Sequence, residues 1–166
     1  MSEYETAIEA IDEIPGIARR SAEVILAEIG TDMSRFPSAA HLCSWAGVCP
    51  GNYQSAGRRK HGKTTKGNKT LKTILTQCAK SAKTVKSSYF SAQYQRIAAR
   101  RGKNRATLAV AHSMLIAIYY ILKNKTAFHD LGSDYYDTFN RDRKINSYLK
   151  RLKSLGWEPD AIPSSA

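Results

Sequence analysis

Acidic residues are missing from the middle of this chain. Of its 166 residues, the 97 from Met33 to His129 contain no Asp or Glu, yet they hold 18 of the 26 Lys and Arg. The remaining residues have a net charge of −6, with 8 basic and 14 acidic side chains. A solvated surface normally mixes both signs, whereas a surface facing phosphates excludes carboxylates because they repel the ligand. The pattern predicts a polyanionic partner, with a generally basic, lysine-rich soluble protein as the alternative.

Cysteines and long apolar runs are also scarce. The three cysteines, Cys43, Cys49 and Cys78, are an odd number, which favours a reducing, cytoplasmic setting over a disulfide framework. Residues Ser2 to Ile14 carry five acids and no apolar run, so no signal peptide is expected. The most apolar stretch, Ala106 to Leu122, is short for a membrane span. We expect it to be a buried core helix, and we expect no membrane partner.

A zinc site would need ligands that this chain does not space correctly. Cys43 and Cys49 lie near His41 and His61 in the sequence, but their spacing matches no common zinc finger. Buried structural thiols are the favoured interpretation. No metal site is therefore expected in this chain.

Apolar residues recur at helical spacing almost throughout the chain, with little alternation of the kind typical of strands. The expected fold is all-α, an irregular helical bundle. It has an N-terminal helix-hairpin-helix-like element at about residues 8–30 and a Gly-rich basic loop at about 48–67. Residues 1–157 are expected to form one domain, and 158–166 a disordered tail. Asn68 is expected to cap a long helix that runs to about Val85.

Pro15 and Gly16 separate two apolar helices, as in the helix-hairpin-helix motif. In that motif the amides of the turn and the N-terminus of the second helix bind a DNA phosphate. Arg19 and Arg20 stand at the start of the second helix, where they could assist. Ala18 replaces the usual second glycine, and an ordinary turn between helices remains an open alternative.

The basic loop combines glycines, which let the backbone approach a ligand closely, with arginines that can hold a phosphate through two hydrogen bonds. Ser55 lies in its middle. A serine hydroxyl attacks phosphorus only if its proton is removed, and nearby cations would stabilise the charge. A phosphate hydrogen bond or a turn is an alternative role for Ser55, and Tyr53 is a rival nucleophile. The residues predicted to bind nucleic acid are Arg19, Arg20, Arg58, Arg59, Lys60, Lys63, Lys66, Asn68, Lys69 and Lys72.

Three short motifs stand in order around this loop: Trp45-Ala46-Gly47-Val48-Cys49-Pro50, Gln54-Ser55-Ala56-Gly57, and Lys66-Gly67-Asn68 followed by Leu71. On these residues the chain resembles the C-terminal domain of the insertion sequence one-ten transposases, which are related to Piv-type DNA invertases. The resemblance covers almost the whole chain in order. The family usually has Ser-Gly where this chain has Ser55-Ala56-Gly57.

The resemblance implies a two-part enzyme of DNA transposition and site-specific recombination. A serine of the C-terminal domain, matched here by Ser55, attacks DNA and forms a phosphoserine link. A RuvC-like domain, which this chain is expected to lack, binds magnesium through four acids. The implied partners are DNA, a noncoding bridge RNA, the RuvC-like domain or full-length transposase, and further copies in a homo-oligomer. The implied setting is the nucleoid in the cytoplasm of a bacterium or archaeon.

Without a RuvC-like half, this chain alone is expected to bind DNA but not to complete recombination. Whether it counts as an enzyme is therefore left open. The alternative function is a non-catalytic module that binds DNA or RNA, in which Ser55 only hydrogen-bonds a phosphate.

The acid-free stretch predicts binding that weakens steeply with salt. If it contacts about six phosphates, the logarithm of the affinity for duplex DNA should fall with the logarithm of the salt concentration with a slope of about −5. Fluorescence anisotropy at several salt concentrations measures this slope. Binding that is absent or independent of salt would contradict a phosphate-facing surface.

Overall fold

Eight α-helices and one short hairpin make up the part of the chain that the structure describes. The computed structural model describes residues 2–49, 54–55, 58–59 and 66–157, and gives only the backbone of 54–55 and 58–59. The all-α fold class is confirmed, while the tail at 158–166 lies outside the described residues. The helices are α1 (Glu3–Asp12), α2 (Arg19–Ile29), α3 (Ala39–Ala46), α4 (Lys69–Ala82), α5 (Tyr89–Arg101), α6 (Lys103–Asn124), α7 (Tyr135–Phe139) and α8 (Arg141–Ser154). A 3-10 turn spans Met33–Arg35, and strand β1 (Gln54–Ser55) pairs antiparallel with β2 (Arg58–Arg59).

Side-chain caps explain where four of the helices begin. Ser2, Ser38, Asn68 and Ser88 precede α1, α3, α4 and α5, and the side-chain oxygen of each accepts a hydrogen bond from a backbone N–H of the first turn. Each cap satisfies a donor that the helix itself leaves free. The predicted role of Asn68 as a cap is confirmed, and α4 ends at Ala82, three residues before the predicted Val85.

The longest helix, α6, is the centre of the bundle. It packs against α1, α3, α4 and α5, and ten of its residues are buried. The helix has 22 residues, and an 18-residue window within it has a mean hydropathy of 1.5, so α6 also has the length and composition of a membrane span. Because its apolar side chains are buried among the other helices, the prediction of a core helix at Ala106 to Leu122 is confirmed. Burial of a large aliphatic side chain such as Ile118 contributes roughly 1.5–3 kcal/mol.

Two compact units divide the chain, Met1–Ser133 and Asp134–Ala166. The first contains α1 to α6 and the buried core. In the second, α7 and α8 bury no residue, and the Tyr135 and Phe139 rings of α7 stack with their centroids 5.5 Å apart. The sequence did not reveal this division, and the predicted domain at 1–157 stays a prediction.

Helices α2 and α4 run antiparallel to each other. Near the start of α2, Gly16 lies against the end of α4, where a Cβ on Gly16 would come within 2.6 Å of Cys78 O and 2.5 Å of Ala82 N. Near the end of α2, Glu28 Oε2 accepts a hydrogen bond of 2.6 Å from Asn68 Nδ2, at the start of α4. The turn that contains Gly16 therefore contributes to packing within the protein.

The residues on either side of the segment from Val48 to Lys66 meet. Gly67 packs so closely on the end of α3 that a Cβ on it would lie 2.5 Å from Gly47 Cα. The next residue, Asn68, donates its backbone N–H to Trp45 O at 3.1 Å. The chain thus leaves α3 and returns to α4 at one junction, which we call the loop junction (Trp45 to Gly47 with Gly67 and Asn68).

Replacing Gly67 by Ala is expected to destabilise the fold, because a Cβ pressed against backbone atoms is overpacked and costs about 1–3 kcal/mol. Urea unfolding followed by circular dichroism measures the loss. Gly102→Ala is the comparison: at φ 86° and ψ 161° its Cβ would meet no atom within 4 Å, so its loss of roughly 1–3 kcal/mol reports backbone conformation alone. Gly67 has no positive φ, so its loss reports the contact alone. An unchanged free energy of unfolding in Gly67→Ala would contradict the close contact between Gly67 and Gly47.

Candidate nucleic-acid interface

Ser55 lies in the first strand of the hairpin, opposite Arg58. The register pairs Ser55 with Arg58 and Gln54 with Arg59. Residues directly opposite each other in an antiparallel pair have Cα atoms about 4.5–5.5 Å apart. The hairpin thus brings the backbone of the predicted nucleophile beside that of a predicted phosphate-binding residue. The sequence placed the two residues in one loop without revealing this pairing.

Several predicted site residues lie outside the described part of the chain or are described by their backbone alone. The rival nucleophile Tyr53, the cations Lys60 and Lys63, and His61 lie outside the described residues. Ser55, Arg58 and Arg59 are described by their backbone alone. Catalysis by Ser55 and phosphate binding by the loop cations therefore stay predictions.

Asn68, predicted to bind nucleic acid, is engaged within the protein. Its Oδ1 accepts a hydrogen bond of 2.9 Å from Leu71 N, while its Nδ2 donates to Glu28 Oε2 at 2.6 Å. Its side chain thus caps α4 and ties that helix to α2. Asn68 therefore positions the lysines of α4. Its predicted contact with nucleic acid stays a prediction.

Two neighbouring arginines at the start of α2 differ in their contacts. Arg19 Nη2 donates to Glu5 Oε1 at 2.7 Å, and Arg19 Nε lies 3.4 Å from Glu23 Oε1. The hydrogen bond and charge of Glu5 raise the pKa of Arg19. Arg20 is exposed and has no hydrogen bond or ion pair with the described residues. Ser21 N already donates to Ala18 O at 2.7 Å, but because Ala18 gives α2 no side-chain cap, the backbone amides of Arg19 and Arg20 remain open to an anion.

The start of α4 carries uncompensated positive charge. Lys66 and Lys69 are exposed, and neither side chain bonds to a residue within the described ranges. Lys72 is half-buried one turn further along. The first turn of α4 contains no acid, and cations there are disfavoured by the positive end of the helix dipole. A bound phosphate would offset the charge of these lysines and the partial positive charge of the helix N-terminus.

A groove runs between α2 and α4, with a volume of about 360 Å³. Lys69 is the only lining residue of this groove that was predicted from the sequence to bind nucleic acid. The others on α4 could have been found because they recur at helical spacing along one flank of its apolar face. The lining residues are Val24, Lys69, Thr70, Thr73, Ile74 and Gln77.

The cysteines have the properties of structural thiols. Burial raises the pKa of Cys43 to about 12, with a further contribution from Cys49, and burial also raises the pKa of Cys49 and of Cys78. These thiols stay protonated near neutral pH, whereas metal binding requires thiolates. Within the described ranges, no three His, Cys, Asp or Glu side chains form a group that could hold a metal ion.

Comparison with known proteins identifies the family of this chain. Residues 8–95 match the transposase IS116/IS110/IS902 family, a range of 88 of the 166 residues that includes the second half of α1, all of α2 to α4 and the Ser55 hairpin. An alignment of 125 positions, which covers 71% of the chain, is 30% identical to the "Insertion element IS110 uncharacterized 43.6 kDa protein" of Streptomyces coelicolor and spans 29% of that relative's length. The predicted relation to Piv-type invertases stays a prediction. The chain belongs to the IS116/IS110/IS902 transposase family.

Proposed function

We propose that this chain binds DNA as the serine-bearing part of a transposase, and that Ser55 attacks a DNA phosphate. The observation that carries the proposal is the pairing of Ser55 with Arg58 in a hairpin within the acid-free stretch. Membership of the transposase family supports DNA as the partner. The bridge RNA and the association with further copies are part of the same proposal.

Attack at phosphorus requires a held phosphate and compensation of its negative charge. Arg58 is suited to this because a planar guanidinium can donate two parallel hydrogen bonds to phosphate oxygens. The new bond joins Ser55 Oγ to phosphorus, and the broken bond joins phosphorus to a sugar oxygen. The hydroxyl gives its proton to a base, and the departing sugar oxygen takes one up. Positive charge near the attacked phosphate lowers the energy of this transition state.

The flanking strand would be held by groups at the ends of two helices. Arg20 and the open amides at the start of α2 offer one phosphate contact, and Lys66 and Lys69 at the start of α4 offer others. Both helix N-termini are partly positive and attract anions. The loop junction holds α4 at the point where the chain leaves the loop.

Magnesium, which the family resemblance implies, does not fit the described residues of this chain. Mg²⁺ prefers carboxylate oxygens, and the stretch around Ser55 from Met33 to His129 has none from Asp or Glu. Its site is proposed to lie in a RuvC-like domain of the transposase. The serine chemistry proposed for this chain uses no metal ion of its own.

Arg20→Ala is expected to weaken DNA binding more than Arg19→Ala, because Arg19 already has two carboxylate partners. Loss of one phosphate contact should make the salt slope less negative by about 1, and Arg19→Ala should change it by less than half of that. Anisotropy titrations of the two variants, at several salt concentrations, provide a matched comparison. Equal slopes in the two variants would argue against phosphate binding by Arg20.

A covalent adduct tests the role of Ser55. The chain is combined with a cognate RuvC-like domain, bridge RNA and DNA, and protein–DNA adducts are separated under denaturing conditions. We expect adduct from the unmodified chain and from Tyr53→Phe, and none from Ser55→Ala. Adduct from Ser55→Ala would exclude this nucleophile, and adduct lost only in Tyr53→Phe would assign the role to Tyr53. Salt-dependent DNA binding with no adduct from any variant would instead favour the non-catalytic module.

A further inference from the structure

The groove between α2 and α4 begins beside the loop junction. Lys69 follows Gly67 and Asn68 directly, so one end of the groove lies where the chain returns from the Ser55 loop. From Lys69 to Gln77 the groove follows nine residues of α4, whose ends are about 12 Å apart along the helix axis. Its volume of about 360 Å³ suits a small ligand or one monomer unit of a polymer.

The floor of the groove is aliphatic. Val24 from α2 and Ile74 from α4 are both half-buried and leave part of their side chains in contact with solvent. Flat apolar faces such as those of nucleobases pack well against side chains of this kind. Apolar surface alone does not select a ligand, so the polar lining determines which one fits.

The polar lining offers a donor and acceptors in close succession. Gln77 is exposed and makes no hydrogen bond to a described residue, so its amide can both donate and accept. Thr73 donates its hydroxyl proton to Lys69 O at 2.8 Å, which leaves its oxygen lone pairs for a ligand donor. A nucleobase edge carries donors and acceptors side by side and is complementary to such a lining.

The charge around the groove also suits a nucleotide. Lys69 lies at one end, and Arg20 stands one helical turn before Val24 on α2, towards the other end. Glu28, one turn after Val24, keeps its negative charge while its carboxylate accepts a hydrogen bond from Asn68. It forms no ion pair with Lys69, so the Lys69 ammonium stays available to a phosphate. None of the described lining residues carries a carboxylate.

We propose that this groove binds one unpaired nucleotide, with its base on Val24 and Ile74, its base edge on Gln77 and its phosphate on Lys69. The proposal rests on the proposed function, because it assumes a nucleic-acid partner. It adds that the chain recognises a base that is not paired in a duplex. Either a distorted DNA strand or an RNA could supply such a nucleotide.

The test compares nucleic acids that differ by one nucleotide. The full 166-residue chain is titrated with a blunt DNA duplex, with the same duplex carrying one extra unpaired adenosine, and with the equivalent pair made of RNA. Adenine is chosen because a glutamine amide can pair with its edge through two hydrogen bonds. We expect about tenfold tighter binding of the duplex with the extra nucleotide, the effect of one such base contact. A preference in the DNA pair, the RNA pair or both identifies the source of the nucleotide.

Variants locate the effect in the groove. Gln77→Ala removes the amide, and Thr73→Trp fills the groove from an exposed position. Both should abolish the preference for the extra nucleotide and leave blunt-duplex affinity nearly unchanged. Thr76→Trp makes the same substitution on α4 outside the lining, and Lys86→Ala removes an exposed lysine away from it. Both controls should keep the tenfold preference, and circular dichroism checks that each variant is folded.

Two results separate the possible failures. Salt-dependent binding of the blunt duplex with no preference for the extra nucleotide overturns the groove proposal and leaves the proposed function standing. No binding of any probe overturns both. A preference that survives in folded Thr73→Trp also overturns the groove proposal, since the nucleotide then binds elsewhere.

Discussion

The close contact between Gly67 and Gly47 is the constraint on which the arrangement of the candidate interface depends. It places the first residue of α4 beside the end of α3, and Asn68 then fixes α4 relative to α2 through Glu28. The α2–α4 groove and the exposed lysines at the start of α4 follow from that placement. A bulkier residue at position 67 would shift all of these together, because the backbone there has no space for a side chain.

Acids at the borders of the acid-free stretch serve structural roles. Asp32 Oδ1 accepts a hydrogen bond from Ser34 N at 2.9 Å. Hydrogen bonds from the Ser34 hydroxyl and, to a smaller extent, from this backbone N–H lower the pKa of Asp32. At the other border, Asp130 accepts from the backbone of Tyr89 and of Gly132 at 2.8 and 2.9 Å. These two carboxylates thus hold backbone N–H groups, while Lys66 and Lys69 in the stretch between them have no side-chain partner within the described residues.

Much of the helical fold could be predicted because caps, glycines and apolar spacing act locally. Asn68 as a cap and the core helix at Ala106 to Leu122 are examples, and the family was identified from short motifs around Ser55. The pairing of Ser55 with Arg58 is local, but it could not be predicted because the surrounding residues lack the alternating pattern that indicates strands. The groove could not be predicted, because it depends on how two helices far apart in the sequence pack. The engagement of Arg19 by Glu5 was missed for the same reason, since those residues are 14 positions apart.

The closed base of the Ser55 loop has a consequence for how this family can diverge. Gly47 and Gly67 already touch, and 19 residues separate them in the sequence. The entropic cost of closing a flexible loop grows slowly, by about 0.6 kcal/mol for each doubling of its length. Insertions or deletions inside the loop would therefore cost the helical scaffold little. Relatives could exchange the segment around the serine, and with it their choice of DNA, while keeping the same junction beneath it.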